Sequence, residues 1–139
     1  MFKHIVLAVD GSQHSLQAVD CARSLAECYG AKITLVHAYP RTSDLRDADH
    51  YDTLLSRRKS AGQEILNEAR RRMGDTSIQL EEDLLEGPAA DAIINAARTH
   101  NAELIVMGTR GKGSIEGLLF GSVSTKVSHY APCTVMVVR

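Results

Sequence analysis

Ile5-Val6-Leu7-Ala8-Val9-Asp10-Gly11-Ser12 decides how the rest of the chain is read. Five apolar residues run without alternation into an aspartate, a glycine and a serine. Unbroken apolar character predicts a strand covered on both faces, and Asp-Gly-Ser predicts the turn that ends it. Ser12 or Ser15 is placed to cap a following helix. That helix carries Leu16, Val19, Ala22 or Arg23, and Ala26 along one side, and Gly30 is its C-terminal stop.

The same unit recurs along the chain. Lys32 to Tyr39 predicts a second strand, closed by Pro40. Arg41 to about Tyr51 is polar and unpatterned, which predicts a long loop. From Asp52 to Met73 the residues Leu54, Leu55, Ala61, Ile65, Leu66, Ala69 and Met73 recur at helical spacing, and Gly74-Asp75 closes the run. Ser77 to Leu85 holds a third strand. Pro88 suits the first turn of a helix over Ala89 to His100, with Ile93, Ile94, Ala96 and Ala97 inward. Leu104 to Met107 is a fourth strand, Ser122 to Tyr130 a short helix, and Thr134 to Val138 a last strand. Strands alternating with helices predict an α/β fold with a parallel sheet covered on both faces. Ligands of such open sheets lie beyond the carboxyl ends of the strands, where strand order reverses. Asp10 and Gly108 both stand at strand ends.

Composition narrows the function. The chain has 139 residues, the size of one domain. With 16 basic and 17 acidic residues and a formal charge of −1, it lacks the basic excess of a nucleic-acid footprint. Arg70-Arg71-Arg72 reads as a solvated helix face. Cys21, Cys28 and Cys133 fit neither a disulfide framework nor a zinc site by spacing. Cys21 and Cys28 fall on one helix face as small apolar residues. His37, at the end of an apolar strand, reads as a half-buried side chain with a partner. His4, His14, His50, His100 and His129 show no ligand spacing along the sequence. No leader peptide and no membrane span is recognised, so a cytoplasmic location with no membrane partner is expected.

The chemistry concentrates in Met107-Gly108-Thr109-Arg110-Gly111-Lys112-Gly113-Ser114 and, further on, Gly121-Ser122-Val123-Ser124. The run begins at a strand end and finishes at a helix start. Glycines let backbone N–H groups approach a ligand closely, and a series of such groups makes an anion-binding concavity. The helix start adds unpaired N–H groups and the positive end of its dipole. Ser122 and Ser124 bring hydroxyls, and Arg110 and Lys112 bring positive charge. These parts suit a polyphosphate. Neither the GxxxxGK[ST] loop nor the GxGxxG turn is present.

The spacing Gly108-x2-Gly111-x9-Gly121-Ser122 resembles the ATP-binding signature of the universal stress protein family. Val6 to Ser12, Gly30 to His37, Glu86-Gly87-Pro88-Ala89, Ala102 to Gly108 and Ala131 to Val135 resemble other segments of that family. Residues 40–76 carry no such motif. The resemblance implies one domain over residues 1–139, with a Rossmann-like, doubly wound, five-stranded parallel sheet of order 3-2-1-4-5 and four helices.

The resemblance also implies site residues. Asp10 would contact the ribose or a magnesium ion that arrives with ATP, and Ala8 would pack beside the nucleoside. Ala38 would offer backbone groups to the adenine edge. Met107, Gly108, Thr109, Arg110, Gly111, Lys112 and Gly113 would wrap the ribose and phosphates. Gly121, Ser122 and Val123 would hold the β- and γ-phosphates. No catalytic residue is assigned. The function implied is an ATP-binding regulator of a stress response that forms homodimers through the last strand and acts on an unknown protein partner. Alternatives are a weak ATPase or nucleotide transferase, and a dimeric interaction module without nucleotide.

Overall fold

In the computed structural model, which describes residues 1–42, 48–109 and 121–139, five parallel strands lie in the order β3-β2-β1-β4-β5. The strands are β1 (His4–Ala8), β2 (Lys32–Tyr39), β3 (Leu80–Glu86), β4 (Leu104–Gly108) and β5 (Thr134–Val138). The helices are α1 (Gln13–Tyr29), α2 (Ala48–Met73), α3 (Ala89–Thr99) and α4 (Ser122–Tyr130).

The opening strand sits at the centre of the sheet, which accounts for its unbroken apolar run. Ile5, Val6 and Leu7 are fully buried. Ile5, Leu7 and Val9 face α1 and α2, packing with Val19, Leu66 and Met73. Val6 and Ala8 face α3 and α4, packing with Ile93, Ile94 and Val127. Each fully buried valine, leucine or isoleucine contributes about 1.5–3 kcal/mol of apolar transfer, so a two-sided strand is the strongest organiser of such a sheet.

Several boundaries differ from the sequence reading. β1 starts one residue earlier, at His4, although Val9 N still donates to Val36 O at 2.9 Å. Within the Ser77–Leu85 stretch β3 begins at Leu80, after Ile78 N turns back to Thr76 Oγ1 at 3.2 Å, and it runs one residue past Leu85, to Glu86. α2 begins at Ala48, four residues before Asp52. Its inward stripe is Gly62, Leu66, Ala69 and Met73, and Ala61 is exposed. Pro88 is the N-cap of α3 rather than a residue of its first turn. In α1 the buried face is Ser15, Ala18, Val19, Ala22 and Ala26, with Leu16 only half-buried. Small residues face inward there because α1 lies very close to β4. Cys21 is half-buried and Cys28 exposed, so the two do not share a buried face.

Helix ends follow the cap signals. Ser12 Oγ accepts from Ser15 N at the start of α1, and Gly30 closes that helix in the left-handed region at φ 67°. The arginine run of α2 is fully paired. Arg70 meets Glu82 at 2.8 Å, Arg71 meets Glu64 at 2.8 Å, and Arg72 grips both carboxylate oxygens of Asp20 on α1.

Candidate functional site

The chain runs outward from β1 through β2 to β3, then returns through α3 to β4 and continues to β5 on the other side. Strand order therefore reverses between β1 and β4, which pair from Ile5↔Leu104 to Leu7↔Val106. The carboxyl ends of these two strands present Asp10 and Gly108-Thr109.

Three contacts fix the Asp10 turn. Asp10 Oδ1 accepts from Ser12 N at 2.9 Å, Asp10 N donates to Ser15 Oγ at 3.1 Å, and Gly11 takes φ 80°. A β-carbon would be strained at that φ, so glycine belongs there. Asp10 Oδ2 has no hydrogen-bond partner among the described residues.

Gly108 is required for a different reason. A Cβ on it would lie 2.8 Å from His14 Cβ, 2.9 Å from His14 C and 3.0 Å from Ser15 N. The end of β4 thus rests directly on the first turn of α1. Next to it, His14 Nδ1 lies 2.6 Å from Thr109 Oγ1.

Thr109 then ties the far end of the glycine-rich segment to the sheet. Its N–H donates to Val138 O at 2.8 Å. Its carbonyl accepts from Gly121 N at 2.7 Å and from Ser124 Oγ at 2.9 Å. The Gly121 amide and the Ser124 hydroxyl, both expected to face an anion, are therefore committed to Thr109. The amides of Ser122, Val123 and Ser124 in the first turn of α4 make no hydrogen bond among the described residues. They form the donor group at this end. Gly121 has φ −78° and ψ 168°, which any residue adopts, so its backbone conformation does not call for glycine.

The end of β2 supplies a third wall. In a parallel strand, residues two apart direct their backbone groups to the same neighbour. Lys32 N donates to Lys3 O and Val36 O accepts from Val9 N, so even-numbered residues of β2 face β1. The next acceptor in that ladder, for Ala38 N–H, is Val9 O. His37 takes it instead, with Nδ1 at 2.7 Å. A carbonyl only accepts, so His37 carries its proton on Nδ1. The N–H and C=O of Ala38 are left facing past the end of β1, with no hydrogen bond among the described residues. Beside them lies a cleft of about 390 Å³ lined by Ala38, Tyr39, Pro40, Arg41, Gly87, Pro88 and Ala89. Arg41 Nε closes one edge by donating to Gly87 O at 3.0 Å.

Of the residues singled out in the sequence, the structure places Ala8, Asp10, Ala38, Met107, Gly108, Thr109, Gly121, Ser122 and Val123 around the carboxyl ends of β1, β2 and β4. Ala8 and Met107 are nearly buried, at 7% and 5% exposure. Arg110, Gly111, Lys112 and Gly113 lie outside the described residues. The sequence reading missed His14 and Ser15, which back Gly108, and the cleft between Tyr39-Arg41 and Gly87-Ala89. Ser15 had a signal, since it shares the inward helical spacing of Val19 and Ala22. The cleft had none, because its two walls lie far apart in sequence.

A five-stranded doubly wound parallel sheet of order 3-2-1-4-5, with a crevice where strand order reverses, defines a Rossmann-like α/β protein. The sequence profile described as the universal stress protein family matches residues 1–139, and the chain belongs to that family. A universal stress protein of Thermus aquaticus, from the QAH/OAS sulfhydrylase 3' region, is 41% identical, with all of both chains covered. A crystal structure of a universal stress protein in complex with cAMP is 30% identical, with a TM-score of 0.75, and 99% of this chain and 97% of that one are covered. The structure of the Archaeoglobus fulgidus universal stress protein in complex with dAMP is 25% identical, with a TM-score of 0.71, and 100% and 98% are covered.

Proposed function

We propose that this chain binds ATP at the crevice between β1 and β4 and acts as a nucleotide-dependent regulator rather than through turnover. The observation that carries the proposal is the N–H and C=O of Ala38, without a hydrogen bond among the described residues, beside a cleft at the carboxyl ends of β2 and β3 that adjoins this crevice. A donor and an acceptor side by side match the edge of an adenine. The relatives in complex with cAMP and dAMP, which share that base, support the choice. The ribose then falls near Asp10 Oδ2, which also suits magnesium carried on the phosphates. The phosphates reach the open amides of Ser122 and Val123. The commitment of the Gly121 amide to Thr109 leaves a smaller donor set, which favours comparing ATP directly with cAMP.

Calorimetric titration of the full chain with Mg-ATP and with cAMP tests this reading. Saturable 1:1 binding of ATP is expected. Asp10→Asn keeps an acceptor for Ser12 N but removes the charge, so the variant folds normally and weakens Mg-ATP more than ATP without metal. Gly121→Val folds and loses ATP, because a side chain fills the space before α4. Absence of heat at millimolar ATP, or equal affinity in Gly121→Val, overturns the assignment.

The exposed edge of β5 carries a further part of the reading. Among the described residues β5 pairs with β4 alone, so one row of its backbone groups lacks a strand partner there. Pairing with a second copy across a two-fold axis would cover that edge. Light scattering is expected to give twice the chain mass, and a proline within Val135–Val137 is expected to restore the single-chain mass.

A further inference from the structure

At the opposite end of the sheet, three side chains distant in sequence come together on the face covered by α3. His4 opens β1, Glu81 lies near the start of β3, and His100 caps the C-terminal end of α3. One ligand atom from each lies within 4.8 Å of the other two. We propose that His4, Glu81 and His100 form a binding site for a divalent transition-metal ion of the zinc type, separate from the nucleotide crevice.

The donor set and its supports fit that ion. Two imidazoles and one carboxylate are the ligands such ions take, with a fourth position left to water. His100 Nε2 lies 2.7 Å from Asp83 Oδ2, and a carboxylate oxygen only accepts. The neutral ring therefore carries its proton on Nε2, which leaves the Nδ1 lone pair free. Nδ1 is the atom that lies 3.8 Å from Glu81 Oε2. Two ligands of a tetrahedral ion at about 2.0–2.1 Å stand roughly 3.4 Å apart. A side-chain adjustment of a few tenths of an ångström closes that gap. Asp83 thus plays the outer part of a carboxylate–histidine–metal arrangement, which orients the ring and raises its basicity.

The wall behind the site is rigid. His4 is 5% exposed, and its Nε2 lies 2.7 Å from Thr34 Oγ1. Thr34 is fully buried and donates its one hydroxyl proton to Glu81 Oε2 at 3.4 Å, so His4 Nε2 is the donor to Thr34 Oγ1 and the neutral ring carries its lone pair on Nδ1. His4, Thr34, Glu81 and Asp83 share one sheet face because the register sets Thr34 opposite both Val6 and Glu81. Lys32 Nζ stands 3.5 Å from Glu81 Oε1 and is the local cation that a metal ion must outcompete. Its side chain is 37% exposed and free to turn outward, and it engages the oxygen that the ion does not need.

The test is a titration of the EDTA-stripped, nucleotide-free full chain with Co²⁺, followed by displacement with Zn²⁺. One equivalent of Co²⁺ is expected to give visible d–d absorption of tetrahedral intensity, which Zn²⁺ abolishes. His100→Ala and Glu81→Gln, both at solvent-accessible positions, are each expected to weaken Co²⁺ by more than tenfold. Asp83→Asn is expected to weaken it by roughly 10–100-fold through the ring it orients. Lys32→Ala tightens binding, and His129→Gln, an exposed histidine elsewhere, leaves it unchanged. Circular dichroism confirms that each variant is folded. No saturable band in the wild type, or a band of equal affinity in His100→Ala and Glu81→Gln, overturns the proposal.

Discussion

Gly108→Ala tests the close approach of β4 to the first turn of α1. The added Cβ meets His14 Cβ at 2.8 Å and backbone atoms of His14 and Ser15 at 2.9 and 3.0 Å, where ordinary contact begins at 3.4 Å. Two of the three opposing atoms are backbone, so no side-chain rotation relieves the clash. The first turn of α1 must retreat by about 0.6 Å, the difference between the closest contact and an ordinary one. Overpacking of this kind costs about 1–3 kcal/mol. Unfolding entropy of about 2.1 cal/mol/K per residue gives the whole chain about 0.29 kcal/mol/K, so Tm should fall by roughly 3–10 °C. The same retreat carries Ser12 and Ser15 away from Asp10 and stretches the His14–Thr109 contact. Affinity for ATP should therefore drop as well. The assay is thermal denaturation without ligand, followed by calorimetry with Mg-ATP. Gly30→Ala serves as the contrast. Its Cβ meets nothing, but its φ of 67° costs a non-glycine residue about 1–2 kcal/mol. That variant should lose stability and keep its ATP affinity. A Gly108→Ala protein with Tm within about 1 °C of wild type and unchanged affinity would refute the reasoning.

Three further outcomes are expected. Ser124→Ala removes the one hydroxyl proton that Thr109 O and Gly121 O share, and should destabilise by about 1 kcal/mol while weakening ATP, read by denaturant titration and calorimetry. The Arg72 guanidinium holds the Asp20 carboxyl below its ordinary 3.8, so the pair stabilises the fold above that pH and the contribution is lost as the folded-state group protonates. Asp20→Asn should accordingly lower Tm slightly at pH 7, with the difference from wild type narrowing as pH falls below 3.8 and as salt rises. Burial pushes the Cys133 thiol up, whereas Cys28 is exposed, so iodoacetamide at pH 8 should modify Cys28 first, as peptide mass mapping would show.

Much of the fold was legible because the strongest signals are local. Ile5 to Val9 could only be a two-sided strand, and Gly30 and Ser12 mark helix ends by rules that act within a turn of chain. The boundaries that moved depended on partners elsewhere. Ala48 joins α2 without any apolar stripe to announce it. Gly62 lies inward in place of Ala61 because a Cβ there would meet Leu84 Cδ1 at 2.7 Å and His37 Cδ2 at 3.0 Å. That approach is set by β2 and β3 and has no trace in the helix itself. At the candidate site, Asp10 and Gly108 were visible as small or acidic residues at strand ends. The commitments of Gly121 and Ser124 were not, because nothing in a glycine-rich stretch says which amides turn toward Thr109. His4 and His100 likewise showed no ligand spacing, since α3 and the sheet register bring them together.

The central hydrogen-bond ladder stops one rung short of Ala38, where Val9 O meets an imidazole, and what is left exposed is peptide rather than side chain. Any small residue other than proline at position 38 offers the same pair of polar atoms, so drift there leaves the edge unchanged until bulk intrudes. A change at His37 is different. It would free Val9 O, the acceptor that lies next in line for the Ala38 N–H, without altering position 38.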